Sequence, residues 1–447
     1  MKYNFPDDFL FGAATASYQV EGAVNEDGRS PSVWDVFSHT PGKVKNNDNA
    51  DISCDQYHKY KEDILLMKDI GLQTYRFSTS WSRVLPDGRG KPNQKGLDYY
   101  NNLVDGLLEA GIEPWVTLFH WDFPQVLQDE YKGWLSRKSI DDFTEYASLM
   151  AKTLGDRVTN WFTMNEFDCF TDKSSLRQEF APDFKATGKE AAQIRHNAMV
   201  AHGKAVLAIR ASSPGTVRVG MAENSLCTIP VFETPEHIAA AKKAFRDINA
   251  RFTTPIMEGA YDPGYLEYIG SNAPDIEPGD METMSTKTDF FGLNMYTPVY
   301  IKAGGELGWQ EIHMSADHPK AKPAWLRINP SIGYWTTRFI KELWNVNEIY
   351  ITENGASFDD IPDQNGKVND TARIMYLREH LKGIHRAIDD GIPVKGYFLW
   401  SLLDNFEWKD GFDERFGIIH VDYKTLKRTP KLSAEYYSEV IKNRSIV

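Results

Sequence analysis

The stretch Asn160-Trp161-Phe162-Thr163-Met164-Asn165-Glu166 is an apolar, strand-like run that ends in an amide and a carboxylate, and Ile349-Tyr350-Ile351-Thr352-Glu353, continuing as Asn354-Gly355, does the same. Short runs rich in β-branched and aromatic residues, bounded by polar or turn residues, read as buried strands. Working outward from these two, eight such runs follow one another: Phe9 to Thr15, Thr74 to Ser80, Trp115 to His120, Asn160 to Glu166, Val217 to Ala222, Phe290 to Tyr296, Ile349 to Glu353 and Gly396 to Ser401. Amphipathic helical patterns lie between several of them, at Tyr57 to Ile70, Tyr99 to Ala110, Ser139 to Leu154, Ala191 to Ala211 and Asn369 to Asp389. Strand-then-helix order predicts parallel pairing. Eight strands in that order predict an α/β fold, a single (β/α)8 TIM barrel spanning residues 1–447, with the βα loops enlarged at 223–289 and 300–348. Gly71 and Gly111 are placed to end helices with positive φ, and Asp141 and Asp370 are expected in first helical turns.

Composition narrows the function. With 41% hydrophobic and 25% charged residues the chain has the ordinary globular mix, enough to bury a large core. The 63 acidic residues outnumber the 50 basic ones, giving a formal charge of −13. That balance disfavours a nucleic-acid backbone or an anionic membrane surface as partner. A small neutral substrate fits better. The opening Met1-Lys2-Tyr3-Asn4-Phe5-Pro6 has no apolar core of a signal segment, so a soluble cytoplasmic protein is expected. Three cysteines, Cys54, Cys169 and Cys227, lack metal-ligand spacing and read as free thiols in a reducing compartment. No cofactor or metal is implied.

In a barrel of this kind the chemistry gathers at the C-terminal ends of the strands. Those ends carry Gln19 in Gln19-Val20-Glu21-Gly22, Arg76, His120-Trp121, Asn165-Glu166, Asn294-Met295-Tyr296, Glu353-Asn354-Gly355 and Trp400-Ser401. Every strand but the fifth contributes. One polar residue at a strand end is most often a turn or a satisfied core group, but a whole rim of them needs another explanation. Two carboxylates brought to one rim are what glycosidic bond cleavage requires, one to protonate the leaving oxygen and one to attack or to activate water.

These residues, with Phe9-Leu10-Phe11-Gly12-Ala13-Ala14-Thr15-Ala16-Ser17-Tyr18-Gln19-Val20-Glu21-Gly22, Ser32-Val33-Trp34-Asp35, Tyr75-Arg76-Phe77-Ser78, Leu118-Phe119-His120-Trp121-Asp122 and Trp400-Ser401-Leu402-Leu403-Asp404-Asn405-Phe406-Glu407-Trp408, make a pattern. The chain resembles glycoside hydrolase family 1, the retaining β-glucosidases and their relatives, along essentially its full length. The resemblance implies a (β/α)8 barrel, Glu166 as general acid/base and Glu353 as nucleophile. It implies that Arg76 and Tyr296 approach the nucleophile and keep it ionised, and that the surroundings of Glu166 raise its pKa. It assigns Gln19, His120, Asn165, Glu407 and Trp408 to the sugar hydroxyls and Trp400 to the platform beneath the ring. Trp121, Asn294 and Phe416 fall in the same substrate-binding set, and Trp325 resembles a wall of the leaving-group site. Carboxyl groups about 5–5.5 Å apart give retention through a covalent glycosyl-enzyme, roughly 6.5–9.5 Å inversion. Retention is what the family implies.

Within the family, relatives acting on 6-phosphorylated glycosides carry Ser, Lys and Tyr where this chain has Glu407, Glu414 and Phe416, so a 6-phospho-β-glycosidase is disfavoured. A transglycosylase shares all the catalytic residues and stays as an alternative. A sugar-binding barrel without catalysis would have lost a glutamate, and both are present. The chain departs from the family just after Glu166. Phe167-Asp168 stand where a proline and an aromatic are usual, and the segment through Thr171-Asp172-Lys173-Ser174-Ser175 to Ala181-Pro182-Asp183 lacks the usual glycines.

Overall fold

The computed structural model describes residues 3–447. Eight parallel strands close into a barrel: β1 Leu10–Ala14, β2 Thr74–Ser78, β3 Glu113–Phe119, β4 Asn160–Asn165, β5 Arg218–Glu223, β6 Phe291–Asn294, β7 Ile349–Asn354 and β8 Val394–Trp400, with β8 returning to pair with β1. Each expected strand is found within a few residues of its predicted limits. Along β2 the register runs Thr74 opposite Glu113 to Ser78 opposite Thr117, and along β1 it runs Leu10 opposite Gly396 to Ala14 opposite Trp400. The expected helices form at Gln56–Ile70, Gln94–Glu109, Lys138–Leu154, Gly188–Ser212 and Thr371–Asp389. Gly71 and Gly111 take φ of 86° and 78°, the left-handed conformation that a residue without Cβ adopts at a helix end.

Asp141 lies in the first turn of Lys138–Leu154, as expected, but Asp370 does not reach the first turn of its helix. It precedes Thr371, and its carboxylate pairs with Arg373 and accepts hydrogen bonds from the Ser433 amide and hydroxyl. A long-range partner outcompetes the helix N-terminus.

The two long loops hold their own structure. Residues 223–289 carry helices Pro235–Ile248, Thr253–Glu258, Pro263–Ile269 and Asp280–Met284. Strands Pro298–Ala303 and Trp309–Ile312 join Cys227–Pro230 in a small mixed sheet.

Inside the barrel, Trp115 is fully buried with its ring 4.7 Å from Tyr350, 5.2 Å from Phe398, 5.3 Å from Phe290 and 5.7 Å from Phe162. These rings come from four sides and fill the lumen, so the site above rests on packed aromatic matter rather than on a channel. The guanidinium of Arg76 lies 5.0 Å over the Phe162 ring.

Backbone contact fixes one glycine. A Cβ on Gly355, two residues past Glu353, would lie 1.6 Å from the Trp400 carbonyl oxygen. The ends of β7 and β8 therefore close on each other only because residue 355 has no side chain. Gly355→Ala is expected to destabilise the fold by about 3 kcal/mol or more, read as a lowered urea midpoint together with loss of activity.

Candidate active site

The strand ends open into a cavity of about 460 Å³ lined by His120, Trp121, Glu166, Asn294, Tyr296 and Trp325, and also by Glu353, Trp400, Glu407, Trp408 and Phe416. Eleven of the residues expected at the site are thus brought together around one space. Gln19, Arg76 and Asn165 lie just behind this wall and hold it. The fifth strand contributes as well: it runs one residue beyond the expected end, to Glu223, and Asn224 to Cys227 line the cavity.

Arg76 is the hub. Its Nη1 donates to Glu353 Oε1 at 2.8 Å and to the Thr352 carbonyl at 3.1 Å, its Nη2 to Asn165 Oδ1 at 2.6 Å, and its Nε to Thr117 Oγ1 at 3.1 Å. Because Asn165 Oδ1 also accepts from Asn294 Nδ2 at 3.0 Å, the other end of its amide must face His120 Nε2, at 3.1 Å. An amide nitrogen donates, so Nε2 accepts and the ring proton of a neutral imidazole sits on Nδ1. Burial first, and then the charge of Arg76, hold His120 well below the usual histidine range. Nδ1 is buried without a protein partner. It is a donor left unpaired on the cavity wall.

The two glutamates are buried and separately anchored. Glu353 Oε2 accepts from the Tyr296 hydroxyl at 2.8 Å. Glu166 Oε1 accepts from Asn294 Nδ2 at 2.7 Å and Oε2 from the Cys169 thiol at 3.0 Å. Asn294 is itself oriented by Thr352 Oγ1, which donates to its Oδ1 at 2.7 Å. Burial pushes Glu353 up to about 7; Arg76 and Tyr296 pull it down, while Glu166 adds to the rise. Arg76 and Tyr296 favour the charged form of Glu353, as expected, and burial opposes them.

Glu407 hangs from the loop after β8, where Gln19 Nε2 donates to its Oε2 at 3.2 Å and to the Phe406 carbonyl at 2.8 Å. Burial, with Asp410, Glu353 and Glu414 nearby, raises it well above the usual range, and Gln19 opposes the rise. Gln19 Oε1 is buried without a partner. Trp408 packs 4.3 Å from Trp121 and 5.9 Å from His120, and Trp400 lies 5.9 Å from His120 at 21°. The Trp121 indole donates to the Asn165 carbonyl at 2.8 Å. Trp325, half exposed, stands edge-on to Tyr296 at 5.8 Å.

Three residues here hold positive φ: Glu166 at 51°, Trp121 at 77° and Trp408 at 50°. Side chains other than glycine adopt this region at a cost, which persists where surrounding structure dictates it. All three belong to the cavity wall.

The segment that departs from expectation folds into two short helices, Phe167–Phe170 and Asp172–Ser175. Salt bridges tie it down, from Asp168 to Arg177 and Arg251 and from Asp172 to Arg195 and Arg251. It brings Cys169, Lys173, Glu179 and Phe180 to the site, none of which the strand-end pattern marked. Glu223 is a third buried carboxyl, accepting from the Phe167 amide at 3.1 Å, and burial pushes it up to about 8.

A closed parallel barrel with two anchored glutamates at its carboxyl rim defines a glycosidase-like protein. The family model of glycosyl hydrolase family 1 matches residues 1–446, and the chain belongs to that family. It is 44% identical over 443 residues to 1,4-beta-D-glucan glucohydrolase of Thermotoga neapolitana, covering 99% of both chains. It is 42% identical over 447 residues to Beta-glucosidase A of Acetivibrio thermocellus, again covering 99% of both. Among solved structures it matches a family 1 β-glucosidase from Thermotoga maritima with a TM-score of 0.92 at 42% identity, over 100% of this chain and 99% of that one.

The geometry predicts that His120 stays neutral with its proton on Nδ1 from about pH 6 to 8, checked by the 15N shifts of its ring. In Asn165→Ala the loss of the Nε2 donor should release that tautomer preference.

Proposed function

We infer that Glu353 is the nucleophile and Glu166 the general acid/base of this enzyme, and that Gln19, His120, Asn165, Glu407 and Trp408 hold the sugar over Trp400. Residues 1–447 are read as one catalytic domain. The protein is a retaining β-glucosidase of family 1, acting on a small glycoside. The observation that carries the assignment of roles is the asymmetry of anchoring. Glu353 is held by a cation and a phenol, groups that favour a charged carboxylate, while Glu166, on the same cavity wall, is held by an amide and a thiol.

In the first step a Glu353 oxygen bonds to the anomeric carbon as the glycosidic C–O bond breaks, and Glu166 passes its proton to the departing oxygen. The product is a covalent glycosyl-enzyme and a free alcohol. In the second, Glu166, now a carboxylate, takes a proton from water, whose oxygen attacks the same carbon and expels Glu353. Two inversions leave the β configuration unchanged. Asn165, locked by Arg76, faces the 2-hydroxyl, a contact that strengthens as positive charge develops on the ring.

The glycone is read as a neutral β-glucosyl unit. Burial, and after it the carboxyls of Asp410, Glu353 and Glu414, raise Glu407, and a phosphate dianion would add further negative charge to that group of carboxyls. Positions 414 and 416 hold Glu and Phe, neither of which supplies a cation. Among the described residues no helix is long and apolar enough to cross a membrane. A cytoplasmic setting accords with the three free buried thiols.

Four outcomes test this reading. Glu353→Ala loses turnover, and azide restores activity on activated aryl glucosides as the α-glycosyl azide; Glu166→Ala yields the β-azide instead, the products being distinguished by NMR. Full activity in either variant overturns the roles. The unphosphorylated aryl glucoside is turned over far faster than its 6-phosphate. As pH falls through about 7, Glu353 gains a proton and kcat/KM declines. Tyr296→Phe removes a donor to the carboxylate and moves that acid limb upward by roughly one pH unit, the scale of one hydrogen bond to a charged group.

A further inference from the structure

The cavity wall near Glu166 holds a cation with no carboxylate in direct contact, among the described residues. Lys173 lines the cavity from the short helix Asp172–Ser175. Its ammonium donates to Cys169 Sγ at 3.3 Å and lies 5.1 Å from the centre of the Phe180 ring, and no carboxylate oxygen lies within 4 Å of it among the described residues. Cys169 in turn donates to Glu166 Oε2 at 3.0 Å. The ammonium is therefore no more than two hydrogen-bond lengths from the carboxyl that protonates the leaving oxygen.

The acids nearby are already committed. Asp168 is bridged to Arg177 at 2.5 Å and to Arg251 at 3.2 Å. Glu179 is 3.9 Å from Lys409. Burial holds the Cys169 thiol well above its ordinary range, so the sulfur is neutral. Burial likewise keeps a proton on Glu223, and Glu166 carries no charge at the moment it acts as an acid. Burial disfavours the charge of this ammonium, but Cys169, Glu166 and Asp168 more than offset it and hold Lys173 above the ordinary lysine range; it is a charged donor whose one direct hydrogen bond, among the described residues, is to a thiol.

We propose that Lys173 is the anion-binding element of the leaving-group subsite, and that the enzyme favours β-glucosides whose aglycone bears a carboxylate a few bonds from the glycosidic oxygen. This rests on the β-glucosidase reading above. The spacing set by the Lys173, Cys169 and Glu166 chain fits an aromatic acid linked through a phenolic oxygen. With such a substrate the carboxylate would replace the thiol as the main acceptor of the ammonium, while Phe180 and Trp325 flank the ring.

The test compares phenyl β-glucosides carrying a meta-carboxylate with the matching meta-carboxamides, and with unsubstituted phenyl β-glucoside as the reference. The wild type should favour carboxylate over carboxamide in kcat/KM by about tenfold or more, a preference that shrinks with added salt. Taking the ratio of this preference between enzymes cancels the intrinsic reactivity of the two phenols. Lys173→Met should remove the preference, Lys173→Glu should invert it, and Lys173→Arg should retain most of it, which separates loss of charge from loss of folding. A wild-type preference of one or less, or one unchanged in Lys173→Met, overturns the proposal while turnover of phenyl glucoside leaves the β-glucosidase reading standing. Failure to turn over phenyl glucoside itself would sink that reading and this inference with it.

Discussion

Arg76 is the constraint on which the site depends. A guanidinium buried over an aromatic ring is tolerated only when its donors are met, and here they are met by Glu353, the Thr352 carbonyl, Asn165 and Thr117, groups carried by three different strands. Meeting them fixes the amide of Asn165, which fixes the tautomer of His120; the same Asn165 oxygen meets Asn294, which reaches Glu166. One buried charge thus sets the orientation of groups on several sides of the cavity. Its planar fork is the reason a lysine would not serve, since a single ammonium presents no comparable fixed set of donors.

The loop after β8 is held by a second buried ionic cluster. Lys431, fully buried, pairs with Asp360 and donates to Asp404 Oδ1 at 2.7 Å, and Asp404 also receives Arg415 at 2.7 Å and the Gly417 amide at 3.0 Å. Asp404 starts the segment that carries Glu407 and Trp408, while Arg415 and Gly417 flank Phe416. Removing one member of such a cluster leaves an uncompensated charge, so the arrangement imposes a unique loop geometry even where its net contribution to stability is small. That rigidity sustains the positive φ of Trp408, as the barrel register sustains that of Glu166.

The barrel was legible because each strand is a short apolar run ending in polar residues, and because the helices between them keep their own period. The strand ends named the cavity for the same reason. What escaped was set by long-range contact. The end of β5 reads as an apolar run closing at Ala222, yet Glu223 extends it, since its carboxyl finds the Phe167 amide across the rim. Asp370 sits just before the first helical turn, where besides the local Arg373 it meets Ser433, a partner that no local pattern reveals. The neighbours that favour the charged form of Glu353 could be named from the motifs, whereas the depth of burial that opposes them could not. The segment after Glu166 was marked only as a departure; its ion pairs join residues as far apart as Asp168 and Arg251.

The cavity also has an electrical division. Around the proposed sugar position, burial above all makes Glu353 and Glu407 hold protons more tightly than free carboxylates do, and a hydroxyl that donates to either would offset part of that desolvation. A neutral, hydroxyl-rich ligand can therefore satisfy these groups without bringing charge of its own. On the leaving-group side the sign changes, with Lys173 facing a thiol that is linked to Glu166. The proton that Glu166 must surrender passes between these two fields. In the proposed roles, Glu166 becomes an anion beside the Cys169 thiol as that proton leaves, and the ammonium proposed to face the aglycone would also stabilise the carboxylate left behind. Recognition of the leaving group and readiness of the base for the second step are then coupled through one side chain.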